Sequence, residues 1–137
     1  MKRFYLLVIV IFLSAACAPS APDVKLHGAW GLVAYGDAAN PTPALPGVDT
    51  LLEFKAGHLN GNVGCNGFGG EYTLKGNTIT VGPMMSTMMY CEQTMAQEQG
   101  VLAVLQGTLT MELEGDLLTL TSEAGQVVIL TFRGMGN

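Results

Sequence analysis

Short stretches of alternating apolar and polar residues, separated by glycine-containing turns, run along most of the chain. Alternation places successive side chains on opposite faces of a strand, so it is typical of half-buried β-strands. The turn pairs Ala56-Gly57, Gly76-Asn77 and Gly115-Asp116 favour tight connections between them. The pattern predicts eight strands, at residues 26–35, 50–55, 58–64, 69–75, 78–81, 109–113, 118–120 and 127–132.

One stretch has the spacing of a helix. Between about residues 92 and 106 one face carries a set of apolar residues, and Gly107 supplies the end. The set that we expect the helix to bury is Cys91, Met95, Leu102 and Leu105. Residues 36–48 contain three prolines and are predicted to form a long loop, neither helix nor interior strand. Together, the predicted strands and helix indicate one domain, a barrel-like or strongly curved antiparallel sheet with a helix against it.

The first residues have a different pattern. Lys2 and Arg3 precede an apolar run over residues 4–13, and small residues then lead to Cys17. This layout is typical of a secretory signal peptide, and ten apolar residues are too few to span a bilayer as a helix. A cysteine at the end of the run favours a bacterial lipoprotein, in which Cys17 is acylated and becomes the first residue.

The lipoprotein interpretation divides the chain into residues 1–16 as signal peptide, residues 17–23 as tether and residues 24–137 as the folded domain. The residue after the cysteine is Ala18, which resembles the pattern that sorts lipoproteins to the outer membrane in enteric bacteria. The expected location is therefore the outer membrane, facing the periplasm. Ser14 stands where such signals usually carry leucine, so a soluble periplasmic protein is the alternative.

The net charge of the chain limits the classes of partner that it can bind. Without Lys2 and Arg3 the chain keeps four basic residues against eleven acidic ones, a net charge of −7. No basic stripe remains, so nucleic acid is a poor partner. We expect attachment to a membrane through the lipid and contact with an envelope protein.

Cys65 and Cys91 lie 26 positions apart, which bears on three interpretations. A redox pair normally has the spacing Cys-x-x-Cys. A zinc site needs further ligands, and His27 and His58 have no ligand spacing. In an oxidising compartment a structural disulfide is favoured over both, and we expect no metal ligand and no cofactor.

The middle of the chain resembles the META domain of the HslJ-like bacterial lipoproteins. The resemblance covers about residues 26–132. Its motif residues are Gly64, Cys65, Asn66, Phe68, Thr87, Cys91 and Glu98. It implies a mostly antiparallel α+β fold, a cracked or open β-barrel of seven to eight strands with one helix. The family is similar in fold to the pilot lipoproteins that guide secretins, is linked to heat shock and other stress, and has no established activity.

Two motif residues have chemical alternatives. Glu98 falls on or beside the apolar helix face, where it is either a catalytic acid or a half-buried carboxylate bonded to backbone or to a tyrosine. No second carboxylate or histidine is placed to cooperate with it, so we expect no enzyme. We expect Asn66 to bond local backbone. The glycines around it, which lack the lysine and helix of a phosphate loop, are expected to permit a bend or bulge.

Methionine is concentrated at Met84, Met85, Met88 and Met89, where the family has small apolar residues. Thioethers select Cu(I), whereas methionine also fills irregular apolar gaps. Together with the signal peptide, the family resemblance implies a non-catalytic envelope stress or binding lipoprotein. A methionine-rich copper protein and a secretin-pilot-like protein are the alternatives.

Overall fold

The computed structural model describes residues 26–135. The predicted signal peptide, Cys17 and the tether lie outside these residues. The elements in chain order are β1 (Gly28–Asp37), β2 (Thr42–Pro43), β3 (Leu51–Lys55), β4 (His58–Asn62), β5 (Gly67–Lys75), β6 (Thr78–Val81), β7 (Met85–Ser86), α1 (Met95–Val104), β8 (Gly107–Glu114), β9 (Leu117–Ser122) and β10 (Gln126–Gly134).

Eight antiparallel strands form a closed barrel in the order β10-β9-β8-β6-β5-β4-β3-β1. The ring closes because β1 pairs with β10, from Ala29 opposite Gly134 to Asp37 opposite Gln126. The predicted antiparallel barrel of seven to eight strands with one helix is confirmed, and its ring is complete where a cracked or open one was expected. Two strands of two residues each lie off the ring, β2 on β1 and β7 on β5.

Local turn chemistry explains why the strands begin and end where they do. Ala56 and Gly57 both have positive φ, at 50° and 80°, as the tight turn between β3 and β4 requires. Gly76, at φ 60°, opens the turn between β5 and β6. The strand β2 was not predicted, but it carries Pro43 at a sheet edge, where the missing amide proton is tolerated.

The barrel interior is filled by the inward-facing side chains of the strands. Fully buried members are Leu52, Phe54, Leu59, Ile79, Leu109, Leu118, Leu120, Val128 and Leu130. The helix α1 adds Val101 and Val104 to this core, Leu105 directly after the helix adds a third side chain, and α1 packs against β1 and β10. Within residues 26–135 no helix has the length and apolar character needed to cross a membrane.

The buried face of α1 differs from the predicted one. Met95 and Leu102 are only partly buried, whereas Gln97 and Glu98 are buried with 0% and 6% of their surface exposed. Leu105 is buried as predicted. The face is polar in its first half because it lies against backbone groups that need hydrogen-bond partners, described next.

Candidate binding site at the glycine-cysteine-asparagine corner

Most motif residues gather where β4 leads into β5. We call residues 64–67, together with Thr87 and Glu98, which are hydrogen-bonded to them, the corner. Cys65 in the corner is bonded through its sulfur to Cys91, which precedes α1. Their Cα atoms lie 6.4 Å apart, within the range that a disulfide spans. The predicted disulfide is confirmed, and it ties the corner to the segment that leads into the helix.

The side-chain amide of Asn66 is the centre of the corner. Its Nδ2 donates to the carbonyl oxygen of Met89 at 3.0 Å and to Oε2 of Glu98 at 2.7 Å. Its Oδ1 accepts from the amide of Met89 at 2.8 Å and from the hydroxyl of Thr87 at 2.9 Å. These contacts fill the two donor and two acceptor positions of the side chain. The prediction that Asn66 bonds local backbone is wrong, because its partners lie 21 to 32 positions away.

The carboxylate of Glu98 reaches the corner from α1. Its Oε1 accepts from the amide of Cys65 at 2.6 Å and from the hydroxyl of Thr94 at 2.7 Å, while Oε2 accepts from Asn66. Burial by itself raises the pKa of Glu98, but these hydrogen bonds outweigh burial and lower the pKa below its ordinary value of 4.5. The carboxylate is therefore ionised at neutral pH, and it bonds to backbone as the sequence predicts.

The glycines of the corner admit close neighbours. A Cβ at Gly64 would overlap the carboxylate of Glu98, and one at Gly69 would lie 2.6 Å from Oδ1 of Asn60. The chain bends at residues 63–65, as expected for Gly64, and the pairing of β4 with β5 that follows is regular and contains no bulge. These glycines are required because other groups occupy the space of their missing side chains.

Gln97 is an important residue that the sequence analysis missed. Its Nε2 donates to the carbonyl oxygen of Val63 at 2.5 Å, and its Oε1 accepts from the amide of Leu45 at 2.7 Å. It thereby joins the long loop, the end of β4 and α1. The spacing Thr94-x-x-Gln97 resembles a capping box and was the one available signal, but neither side chain caps the helix.

The remaining motif residues have distinct positions. Thr87 belongs to the corner, since its amide donates to the carbonyl oxygen of Gly67 at 3.0 Å and its hydroxyl accepts from the Gly67 amide at 3.2 Å. Phe68 does not belong to the polar network. It is buried in the core, with its ring over the position of Gly61.

Residues 84–90, which we call the methionine segment, are held by the corner but exposed to solvent. Met85, Met88 and Met89 are 82%, 94% and 59% exposed, and Tyr90 is 77% exposed. Met84 alone among these methionines packs against the core. The interpretation of the cluster as filler of an apolar gap therefore applies to Met84 and is wrong for the other three.

A pocket of about 270 Å³ lies between the methionine segment and α1. Its lining combines apolar and polar groups: Asn66, Ser86, Thr87, Met88, Met89, Tyr90, Met95, Glu98, Gln99 and Leu102. A wider depression of about 600 Å³ lies nearby, where Met85 faces Phe68 and Asn60. Thr87 lines both.

The corner can support binding more readily than acid–base chemistry. A general acid or base must exchange a proton with a substrate, but both oxygens of Glu98 are already held by donors of the protein. The side chains free for an external group include the exposed thioethers and the Tyr90 ring of the methionine segment.

Fold and corner together define a small antiparallel barrel whose single described helix is bonded to the barrel by a disulfide and a buried carboxylate. The META domain model matches residues 23–133. The chain belongs to the META domain family.

Solved structures share the fold at low sequence identity. An NMR structure of a protein from Burkholderia xenovorans has a TM-score of 0.64 and 20% identity, covering 96% of this chain and 95% of that one. The crystal structure of a DUF4847 family protein from Bacteroides vulgatus has a TM-score of 0.59 and 15% identity, covering 83% and 97%. No curated protein matches the chain.

Proposed function

We propose that the protein is an outer-membrane lipoprotein whose META domain faces the periplasm, has no catalytic activity, and serves as a binding module in the response to envelope stress. The observation that carries this proposal is that the motif side chains are used for internal hydrogen bonds while the adjoining methionine segment is exposed. The motif side chains Asn66, Thr87 and Glu98 bond to one another and to backbone, whereas the methionine segment that they fix is exposed.

The compartment is supported by the disulfide and by the sequence before the domain. Disulfides persist in oxidising compartments such as the periplasm. The apolar run at residues 4–13, ending near Cys17, is the export signal that such a location requires.

We predict that Cys17 carries the lipid. Metabolic labelling with a fatty-acid analogue is expected to mark the wild-type protein and the paired variant Cys65→Ala/Cys91→Ala, but not Cys17→Ser. The paired variant is the matched control because it removes cysteines without touching the export signal. Label on Cys17→Ser, or no label on the wild type, contradicts the anchor and favours a soluble periplasmic protein.

The binding role is tested by cross-linking in intact cells. A photo-reactive amino acid in place of Met88 is expected to give a discrete cross-linked product with an envelope component. Lys75 is the matched control, since it is exposed at the opposite end of β5 from the corner. Equal products at both positions, or none at Met88, would contradict a binding role for the methionine segment.

A further inference from the structure

Packing does not account for most of the methionines near the corner. Met111 and Met84 contribute to the core, Met111 with 2% of its surface exposed. Met88 and Met89 are exposed, and Met95 at the start of α1 is only partly buried. Large apolar side chains concentrated on one exposed surface are a mark of a binding site.

Three of these methionines converge on the pocket of about 270 Å³. Met88 and Met89 line it from the methionine segment, and Met95 lines it from α1. The pocket is thus lined by three methionines from two separate parts of the chain. Met85 differs, because it lines the wider depression beside Phe68.

The backbone of Met89 and Met95, and that of Thr87 before Met88, is held by hydrogen bonds before any ligand arrives. Asn66 binds both the amide and the carbonyl of Met89, and the disulfide anchors Cys91 two residues later. The amide of Met95 donates to the carbonyl oxygen of Cys91 at 3.0 Å. Because these backbone groups are already held, less of the backbone has to be ordered on binding, which reduces its entropic cost.

The donor set and the local charge indicate the class of ligand. Thioether sulfur is a soft, neutral donor that selects Cu(I) over hard ions. Within residues 26–135 no group of three His, Cys, Asp or Glu side chains is placed to hold a metal. The soft donors that line this pocket are the thioethers of Met88, Met89 and Met95. Glu98 lines the same pocket and brings a negative charge that favours a cation there.

We propose that Met88, Met89 and Met95 bind one soft monovalent metal ion, Cu(I), in the pocket between the methionine segment and α1. Glu98 contributes charge and not a ligand, since carboxylate oxygen is a hard donor and its oxygens already accept bonds from Cys65, Thr94 and Asn66. This inference rests on the proposed binding role of the methionine segment and names a ligand for it. The ion enters and leaves as Cu(I), with no change of oxidation state.

The test uses Ag(I), a redox-inert substitute for Cu(I), and the protein carrying Cys17→Ser so that no free thiol competes. With ¹³C in the methionine methyl groups, one equivalent of Ag(I) is expected to shift the resonances of Met88, Met89 and Met95. The resonances of Met84, Met85 and Met111 are expected to stay in place. Competition against a Cu(I) chelator then measures the affinity for Cu(I) itself.

Substitution by leucine removes the sulfur while keeping the volume nearly unchanged. Met88→Leu, Met89→Leu and Met95→Leu are each expected to weaken Cu(I) binding about tenfold or more, since even outer-shell changes at metal sites have effects of that size. Met85→Leu is the matched control and is expected to leave the affinity unchanged.

Three outcomes would overturn the metal site: no methyl shift at one equivalent of Ag(I), shifts spread equally over Met85 and Met135, or unchanged Cu(I) affinity in all three leucine variants. Loss of metal binding together with a persistent cross-link from Met88 would reject the metal and keep a protein-binding role. Absence of both the metal binding and the Met88 cross-link would reject the proposed binding role as well.

Discussion

Asn66 fills all four of its hydrogen-bonding positions in the corner, and both oxygens of Glu98 accept bonds there although Glu98 is a buried anion. A buried carboxylate is tolerated only where donors replace the water that it has lost. Here the donors come from Cys65, Asn66 and Thr94, so the charge joins the corner to the first turns of α1. Removal of that charge tests how much of the fold depends on it.

We predict that Glu98→Gln destabilises the protein by about 1.5–3 kcal/mol at pH 7, the usual contribution of a hydrogen bond to a charged group. Both carboxylate oxygens of Glu98 accept hydrogen bonds, so the NH₂ group that replaces one of them in glutamine would meet a donor and lose that bond. The remaining bonds would weaken because the side chain is no longer charged. Urea unfolding measures the change. Glu112→Gln, at an exposed position on β8, is the matched control and is expected to change stability by less than about 0.5 kcal/mol.

Stability should also depend on pH through Glu98. Because folding lowers the pKa of this group, its ionised form stabilises the folded state above the unfolded pKa, near 4.5. That contribution is lost as the pH falls below 4.5 and through the lowered folded pKa. The urea midpoint of the wild type is therefore expected to fall more steeply in this acid range than that of Glu98→Gln. Parallel slopes for the two proteins would contradict the lowered pKa.

At the scale of the elements, α1 contains a glycine in its interior that packing against β1 explains. The helix is ten residues long and carries Gly100 within it, which by propensity alone weakens it. Tyr35 of β1 explains the glycine, since a Cβ at position 100 would lie 2.5 Å from the Tyr35 ring. The close contact of α1 with β1 thus has priority over helix propensity.

We predict that Gly100→Ala destabilises the protein by about 1 kcal/mol, because the cost of overpacking exceeds the gain in helix propensity. Thermal or urea unfolding measures the effect. In a Tyr35→Ala background the space is free, and the same substitution is expected to stabilise the protein instead. Stabilisation by Gly100→Ala in the wild type would show that the ring moves aside at little cost.

Local signals were enough to predict most elements from the sequence. The strand β6 has the predicted bounds, and β3, β4 and β10 lie within a few residues of theirs, because turn pairs and alternation act over short distances. The two-residue strands β2 and β7 escaped prediction because they depend on partners distant in sequence.

The candidate site was predicted only in part. The disulfide pair followed from compartment and cysteine count, and the motif residues from the family resemblance. The partners of Asn66 and the role of Gln97 did not follow, because a polar side chain buried against distant backbone leaves no periodic pattern. The helix face was misassigned for the same reason, since Gln97 and Glu98 are its buried members.

For the molecule as a whole, the disulfide holds α1 and the barrel together. We predict that reduction destabilises the fold by about 3–4 kcal/mol, the loop-closure entropy for a separation of 26 residues. Thermal melts with and without reductant measure this change. Cys65→Ala/Cys91→Ala is the control and is expected to melt at a lower temperature that reductant does not alter. An unchanged wild-type midpoint after complete reduction would instead favour a redox role for the pair.

The pairing of the first and last strands of the ring has a consequence for how fast the barrel forms. Ala29 and Gly134 are partners although most of the domain lies between them, so the ring closes only by a contact of very long sequence separation. Such contacts slow folding to the range of about milliseconds to seconds. Until β10 pairs with β1 and β9, the backbone edges of these two strands that β10 will occupy are unpaired. Such edges can pair with strands of other chains. A chain that emerges from its amino end must therefore pass through an aggregation-prone interval that ends only when its last strand has crossed.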